Sequence, residues 1–195
     1  PKNPVAFFLR GRAKLEQKDY VGALSDVDQS IEIANIFDEA YYIKSKIYKK
    51  YYKELNISLP ESFWEAANNL SKASDAAPWP ELKNKYLWHA ANELNNYAWV
   101  VAANRSNRDS THSVKRAILA VKLAIKWKKK LKNDIWPFLD TLAVAYAANN
   151  QFKEALETQK QALELCQPCK KDKKIRDDLL SRQQLYAQNR QYIEK

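Results

Sequence analysis

Two cysteines lie three residues apart, where Cys166 and Cys169 form a Cys-Gln-Pro-Cys motif. Such a pair does redox chemistry when it lies at a helix N-terminus, because the helix dipole there stabilises the thiolate. Here a helical pattern precedes the cysteines, so they fall at its carboxyl end. The sequence therefore predicts a helix stop with one packed thiol or a local disulfide, in preference to a redox or metal-binding role.

The other candidates for catalysis or metal binding are isolated from one another. His89 and His112 are the only histidines, and a structural zinc site needs four Cys or His ligands. Asp177 and Asp178 are adjacent, so on a helix they point to different faces and do not share an acid–base task. The two glycines of the chain are too few for a phosphate-binding loop. We predict a protein that is not an enzyme and has no cofactor and no metal.

Four lysines form the main candidate for a charged contact surface. Lys115, Lys122, Lys126 and Lys129 are seven, four and three residues apart, so on a helix they share one face. Such a face can contact an acidic protein, nucleic acid or anionic lipid. The alternative, which we favour for a lysine-rich helix, is a solvated outer face whose last lysines are stabilised by the C-terminal helix dipole.

Charge is distributed unevenly along the chain. Basic and acidic residues balance in residues 1–97, so the net charge of +10 arises in residues 98–195. Residues 104–132 hold ten basic residues against one acid, Asp109. The positive charge is therefore a property of one helix and its preceding loop.

The pattern of apolar residues indicates helices throughout. Isoleucine and valine never alternate with polar residues in runs bounded by turn residues, as they do in strands. A hydrophobic share of 46% is enough for a substantial core. The longest apolar runs, such as Tyr97 to Ala103, are far shorter than the ~20 residues that span a bilayer. We expect an all-α protein without a transmembrane segment, soluble and either cytoplasmic or processed and exported.

One apolar pattern occurs four times. In its last copy Phe152 precedes Ala155 by three positions, and Gln159 and Ala162 follow at four and seven. The earlier copies begin at Tyr20, Phe63 and Val114. A helical pattern of a large, a small and a large residue precedes each copy, and its small residues are Gly11, Ser45, Ala98 and Ala143. Small residues at these positions let two packed helices approach closely.

These paired patterns resemble the tetratricopeptide repeat, a hairpin of ~34 residues with the pattern W-x2-L-G-x2-Y…A-x3-F…P. The stretches LNNYAWVVA and LDTLAVAYAANNQFKEALETQKQALEL are similar to the third and fourth repeats of bacterial members. The resemblance implies an all-α, right-handed superhelical array of about four hairpins over residues 1–170, followed by a C-terminal capping helix over residues 171–195. The hairpins are expected near residues 4–36, 38–78, 92–130 and 136–168.

The resemblance also implies a non-catalytic protein–protein interaction module or scaffold that binds a peptide or protein segment in a concave groove. We predict that the groove is lined by Phe8, Arg12, Tyr42, Lys46, Lys49, Asn92, Asn95, Trp99 and Asp140. Tyr42 and Trp99 either face this groove or pack against adjacent hairpins. The alternative function is electrostatic binding of nucleic acid or another polyanion through the basic helix over residues 115–132.

Two helices depart from the expected packing pattern. Arg10 and Lys14 stand where the family has leucine and an aromatic residue, so we expect a loosely packed first helix. In the basic helix, Leu119, Leu123 and Trp127 form a second apolar stripe besides the one that carries Val114. Both stripes should be covered by neighbouring helices.

Helix ends are predicted from local chemistry. Asp19 and Asp134 are expected N-caps, because a short carboxylate accepts the free amide hydrogens of a first turn. Asn149 and Asn150 are expected at a turn, because asparagine tolerates the left-handed conformation. One long helix should run from about residue 80 to residue 103.

Overall fold

The computed structural model describes residues 3–108 and 111–194, and of Thr111 and His112 it describes the backbone alone. Over these residues the protein is all-helical and has no strand, which confirms the all-α prediction. Its helices are α1 Pro4–Glu16, α2 Tyr20–Ile33, α3 Asp38–Lys50, α4 Leu59–Ala76, α5 Pro80–Ala103, α6 Thr111–Lys130, α7 Trp136–Ala148, α8 Phe152–Leu165 and α9 Lys173–Ala187. Single 3-10 turns follow α5 at Arg105–Asn107 and α8 at Pro168–Lys170.

Local chemistry sets one end each of two helices as predicted. Asp19 caps α2, since its carboxylate accepts a hydrogen bond of 2.9 Å from the Gly22 amide. Asn150 takes the left-handed conformation after α7, with a φ of 61°, whereas the asparagine before it does not. The prediction of Asp134 as a cap is wrong, because α7 begins after Ile135, where a proline in the first turn favours the helix start.

The chain divides into two compact units, Pro1–Glu93 and Leu94–Lys195. The boundary falls within α5, whose observed bounds confirm the long helix expected from about residue 80 to residue 103. In the part of the chain that the structure describes, no helix is long and apolar enough to cross a membrane. The repeat boundaries and the capping role of the last helix stay predictions.

In the first unit, α1 packs against α2, and α3 packs against α4. A buried apolar cluster is formed by Phe8, Ala23, Val27, Ala40 and Ile47. Gly11 lies where α1 and α2 approach closely. A Cβ atom there would lie 3.1 Å from the carbonyl oxygen of Ala23 and 3.1 Å from Cγ2 of Val27. A side chain at this position would therefore require its neighbours to move by a few tenths of an ångström.

Charged contacts hold α1 where the resemblance implies apolar ones. Arg10 donates hydrogen bonds of 2.6 and 2.8 Å to the carboxylate of Asp26 on α2, and Nζ of Lys14 lies 2.9 Å from the same carboxylate. The hydrogen bond from Arg10, followed by that from Lys14, lowers the pKa of Asp26 to about 2. A buried carboxylate thus takes the place of the missing apolar partners. Only Phe8 and Gly11 of α1 are buried, so the loosely packed first helix stays a prediction.

In the second unit, α7 contacts α6 and α8, and α9 packs against α8. Helix α7 is buried along most of its length, whereas α6 is buried along one stripe only. Leu119 and Leu123 of α6 are 68% and 40% exposed, so the expectation that neighbouring helices cover them is wrong. The reason is that α6 makes its contacts through the first stripe, in which Val121 and Ala124 are fully buried.

Candidate functional site

Three of the predicted groove residues meet on one face of α3. Tyr42, Lys46 and Lys49 are four and three residues apart on this helix. They line a cavity of about 190 Å³, which we call the α3–α5 pocket. Its other lining residues are Ser45, Ala66, Leu70, His89 and Glu93. The pocket combines apolar side chains, an aromatic ring and two lysines.

Contacts within the first unit orient the aromatic ring of this pocket. The ring of Tyr42 lies 5.3 Å from the ring of Tyr86, whose hydroxyl donates a 2.9 Å hydrogen bond to Asp38. Burial, together with this hydrogen bond, raises the pKa of Tyr86 above its ordinary value. The second partner of Tyr42 is Lys46, whose Nζ atom lies 4.4 Å from the centre of the Tyr42 ring.

A buried carboxylate lies in the lining of the α3–α5 pocket. Glu93 is 4% exposed, and its Oε1 atom lies 2.5 Å from Nζ of Lys49. Opposite charges in contact largely cancel for a distant ligand. The net positive charge of the pocket is therefore centred on Lys46, which is exposed.

A second pocket shares Lys46 with the first. It measures about 570 Å³, and we call it the α1–α3 pocket. Tyr20 and Tyr51 contribute stacked rings whose centres are 4.0 Å apart. The other lining residues are Leu15, Glu16, Lys18, Ile43, Lys46, Ile47 and Lys50. The two pockets together form one surface with a common cation, which we call the α3 surface.

Helix α1 contributes less to this surface than predicted. Phe8 is 3% exposed, and its ring centre lies 4.8 Å from that of Phe37. Its prediction as a groove residue is wrong, because the side chain belongs to the core. Arg12 is exposed, with its guanidinium 5.8 Å from the Phe8 ring centre. Neither residue lines the α3–α5 or the α1–α3 pocket.

The predicted groove residues of α5 and α7 lie in different environments. Asn92 in the first unit and Asn95 in the second are partly exposed, and Oδ1 of Asn95 is buried without a hydrogen-bond partner among the described residues. Asp140 is 7% exposed. It accepts one hydrogen bond of 2.8 Å from Gln159 and two, of 2.8 and 3.0 Å, from Arg182. Its prediction as a groove residue is wrong, because the carboxylate is satisfied inside the second unit.

Trp99 is half-buried, and its partners are far from it in the sequence. Its indole N–H donates a 3.1 Å hydrogen bond to Glu194, and its ring centre lies 5.7 Å from that of Tyr192. The guanidinium of Arg182 lies 5.7 Å from the Trp99 ring centre. These partners come from α9 and the segment after it, far away in sequence, so no local pattern identifies them.

The predicted basic surface lies on α6, where Lys115, Lys122, Lys126 and Lys129 are all exposed. The exposed Leu119 lies one helical turn from two of these lysines. Lys128 of the same helix differs, since it is 3% exposed and its Nζ lies 5.0 Å from the ring centre of Phe138. Burial lowers the pKa of Lys128 to about 8. The basic character of α6 is therefore divided between an exposed face and one buried cation.

Cys166 and Cys169 form a disulfide bond just after α8, which is one of the two outcomes that the motif predicts. Within residues 3–108 and 111–194, no three His, Cys, Asp or Glu side chains lie close enough together to hold a metal ion. The ring of His89 packs edge-on at 5.0 Å against Trp88, and the side chain of His112 lies outside the described residues.

The chemistry that the α3 surface provides is charge, aromatic contact and apolar burial.

Comparison with known proteins gave matches among solved structures only. No family model matches the sequence, and no curated protein matches it. Among solved structures, the chain is similar to the crystal structure of MamA protein, with 18% sequence identity, coverage of 85% of this chain and 92% of that chain, and a TM-score of 0.35. A similarity this low carries no argument about fold or function.

Proposed function

We propose that the protein is a non-catalytic protein-interaction module, or scaffold, that binds an extended peptide or protein segment on the α3 surface. The observation that carries this proposal is the pair of pockets with a shared lysine, Lys46. Neighbouring pockets on one helix suit an extended chain, because successive side chains of the ligand enter different pockets while its backbone crosses the helix.

The lining of the α1–α3 pocket indicates the chemistry of the segment. Lys18, Lys46 and Lys50 face a single acid, Glu16. Complementary charge across an interface speeds association and suppresses wrong partners. The apolar part of the lining includes the partly exposed Leu15 and Ile43. We infer a ligand with an acidic side chain beside Lys46 and an apolar side chain in the α1–α3 pocket.

The ring of Tyr42 adds a preorganised contact to this surface. It is supported by Tyr86, which in turn is fixed by its hydrogen bond to Asp38. A side chain that is already held in place loses less rotamer entropy on binding. A tyrosine also offers an apolar ring and a polar hydroxyl, which together contact both the side chains and the backbone of a peptide.

The resemblance to tetratricopeptide repeats supports the same function. Under this hypothesis, the four hairpins form a right-handed superhelical array, and the first helix of each hairpin lines a concave groove. Helix α3 and part of α5 are then the first helices of the hairpins near residues 38–78 and 92–130. The α3 surface is accordingly proposed as one part of that groove, and α9 is proposed as the cap of the array.

Selection of binding peptides followed by titration tests the proposal. We expect random peptides selected on the purified protein to be enriched in Asp or Glu. Lys46→Glu should weaken the binding of a selected peptide by at least about tenfold, because it reverses the charge that both pockets share. Fluorescence anisotropy of the labelled peptide measures the affinity.

Lys72→Glu is the matched control for this experiment. Lys72 is exposed on α4 and lines neither pocket, so the variant carries the same change of charge away from the α3 surface. Tyr42→Ala should weaken binding as well. The proposal fails if the Lys46 and Lys72 variants bind the selected peptides equally well, or if the selected peptides have no acidic preference.

A second candidate function is binding of nucleic acid or another polyanion by α6. The observation in its favour is the exposure of four lysines on one helix face. Binding to a DNA duplex should then weaken with salt, with a log–log slope of about −0.9 for each phosphate contacted. Lys122→Gln should reduce the steepness of this salt dependence by about one unit of slope. Lys171 is exposed and lies outside α6, so Lys171→Gln should leave the slope unchanged. A flat salt dependence excludes this function.

A further inference from the structure

Residues 188–194, which we call the return segment, leave α9 and run back to the end of α5. Asn189 takes the left-handed conformation, with a φ of 54°, and the amide of Arg190 donates a 2.8 Å hydrogen bond to the carbonyl of Leu185. This arrangement commonly ends a helix and redirects the chain. The residues that follow, 190–194, belong to neither helix nor strand.

Backbone groups at two helix ends accept hydrogen bonds from the return segment. Helix α5 ends at Ala103, whose carbonyl accepts a 2.9 Å hydrogen bond from the amide of Glu194. Helix α7 ends at Ala148, whose carbonyl accepts a 3.4 Å hydrogen bond from the side chain of Gln191. The last carbonyls of a helix have no partner within the helix. They therefore provide acceptors for any extended segment that brings free donors.

Side chains of the second unit recognise three residues of the return segment. Nη1 of Arg108 donates a 2.8 Å hydrogen bond to the side-chain oxygen of Gln191. Trp99 donates its indole hydrogen bond of 3.1 Å to Glu194 and lies 5.7 Å from the ring of Tyr192. The contacts thus select a polar, an aromatic and an acidic side chain in a fixed order.

Arg182 links these aromatic contacts to the interior of the second unit. Its guanidinium carbon lies 5.2 Å from the ring centre of Tyr192 and 5.7 Å from that of Trp99. The same guanidinium donates two hydrogen bonds to the buried carboxylate of Asp140. Because Asp140 belongs to α7 and not to the return segment, it holds Arg182 in place independently of that segment.

The return segment covers the second unit without becoming part of its core. Residues 191–193 are only partly buried, and Glu194 is exposed. A cavity of about 760 Å³ adjoins the segment, and Arg105 and Phe152 contribute to its lining. The segment can therefore leave without opening the core around α7, and the cavity has room for a longer ligand.

We propose that Trp99, Arg108, Arg182 and the Ala103 carbonyl form a second peptide-binding site, which the return segment occupies as an intramolecular ligand. The partner is an extended protein segment that presents a polar amide, an aromatic and an acidic side chain in the same order as the return segment. It binds by displacing the return segment, which makes that segment autoinhibitory. The site shares no residue with the α3 surface, so it does not depend on the function proposed for that surface.

The test uses the full chain and a fluorescein-labelled peptide with the sequence of residues 188–195. In the double variant Tyr192→Ala, Glu194→Gln, the return segment loses its aromatic and acidic contacts. The peptide should then bind at least about tenfold more tightly than it binds the unaltered chain, in which a tethered competitor is present at about millimolar effective concentration. Adding Trp99→Ala should weaken binding again. A peptide with the same two substitutions is the control and should bind neither chain.

Hydrogen–deuterium exchange gives a second measurement, on the unaltered chain. Excess peptide should increase exchange in residues 190–194, because the Glu194 amide loses its hydrogen bond to Ala103. Lys72→Glu, on α4 and outside both sites, should leave binding of this peptide unchanged, whereas Trp99→Ala in the double variant should weaken it, which assigns the peptide to this site. The proposal is overturned if the peptide binds the folded double variant no better than the unaltered chain. If circular dichroism shows that the double variant is unfolded, the exchange measurement decides. The proposal is then overturned if excess peptide leaves the exchange of residues 190–194 in the unaltered chain unchanged.

Discussion

Tyr42 in the first unit and Trp99 in the second are predicted for the same kind of binding groove, yet their surroundings differ. Tyr42 lines a pocket and is supported from one side by Tyr86. Trp99 contacts Tyr192 and Glu194 of its own chain. The aromatic ring of the first unit therefore lines a pocket, whereas that of the second unit is covered by residues 192 and 194 of the same unit.

The buried aspartates of the two units are paired with arginines that differ in exposure. Asp26 is paired with Arg10, whose side chain is 59% exposed, while Asp140 is paired with Arg182, whose side chain is 12% exposed. An exposed arginine keeps much of its hydration, so its ion pair adds little to the stability of the fold. A covered arginine is fixed by its carboxylate, so it can position the aromatic rings around it. The first pair ties two helices together, and the second also organises a surface.

The largest expected effect comes from removing the carboxylate of the second unit. Asp140→Ala leaves the guanidinium of Arg182 buried without its counter-charge, so the free energy of unfolding should fall by about 3 to 5 kcal/mol. Urea unfolding followed by circular dichroism measures the change. Asp178→Ala, exposed on α9, should change stability by less than about 0.5 kcal/mol. A loss below about 1 kcal/mol at Asp140 would contradict its role as the anchor of Arg182.

The corresponding change in the first unit should have a smaller effect. Asp26→Ala should lower the free energy of unfolding by about 1 to 2 kcal/mol, because Arg10 returns to solvent when its partner is removed. The same urea titration, with Glu32→Ala as an exposed control on α2, measures it. Equal losses for the Asp26 and Asp140 variants would remove the distinction between the two pairs.

Acid should weaken the Asp26 pair in a defined pH range. The pKa of Asp26 is about 2 in the folded protein, below the value of about 3.9 for an unfolded chain. Its contribution to stability is therefore complete above about pH 4 and is lost as the pH falls from about 4 to about 2. The difference in unfolding free energy between the unaltered chain and Asp26→Asn should shrink over this range. A constant difference down to pH 2 would show that the pair does not set the pKa.

The smallest effect is expected at the close helix contact of the first unit. Alanine in a helix is favoured over glycine by about 1 kcal/mol. At Gly11, however, the added methyl group meets Val27 Cγ2 at 3.1 Å, so Gly11→Ala should change stability by less than about 1 kcal/mol and should not stabilise. Ala13→Gly, exposed on the same helix, measures the helix preference alone by urea unfolding. A full gain of about 1 kcal/mol at Gly11 would mean that the contact yields without cost.

Several predictions that depend on neighbouring residues agree with the structure, although the Asp134 cap is wrong. The bounds of α5 and the Asp19 cap follow from contacts within a few residues of one another. The inward positions of Phe8 and Asp140 do not follow, because the same helical period places a side chain on a face without deciding what covers that face. Arg182, which contacts Trp99, was not predicted as a binding residue, since an arginine on a polar helix face ordinarily lies in water.

The sequence by itself determined the all-helical class, the bounds of α5 and the positions where small residues let helices meet. Only the tertiary structure decided which distant groups come into contact. Asp26 meets Arg10 across 16 residues, Asp140 meets Arg182 across 42, and Trp99 meets Glu194 across 95. Hydrophobic periodicity reports on contacts within a turn or two of a helix. It carries no information about pairs that form only after separate helices have packed.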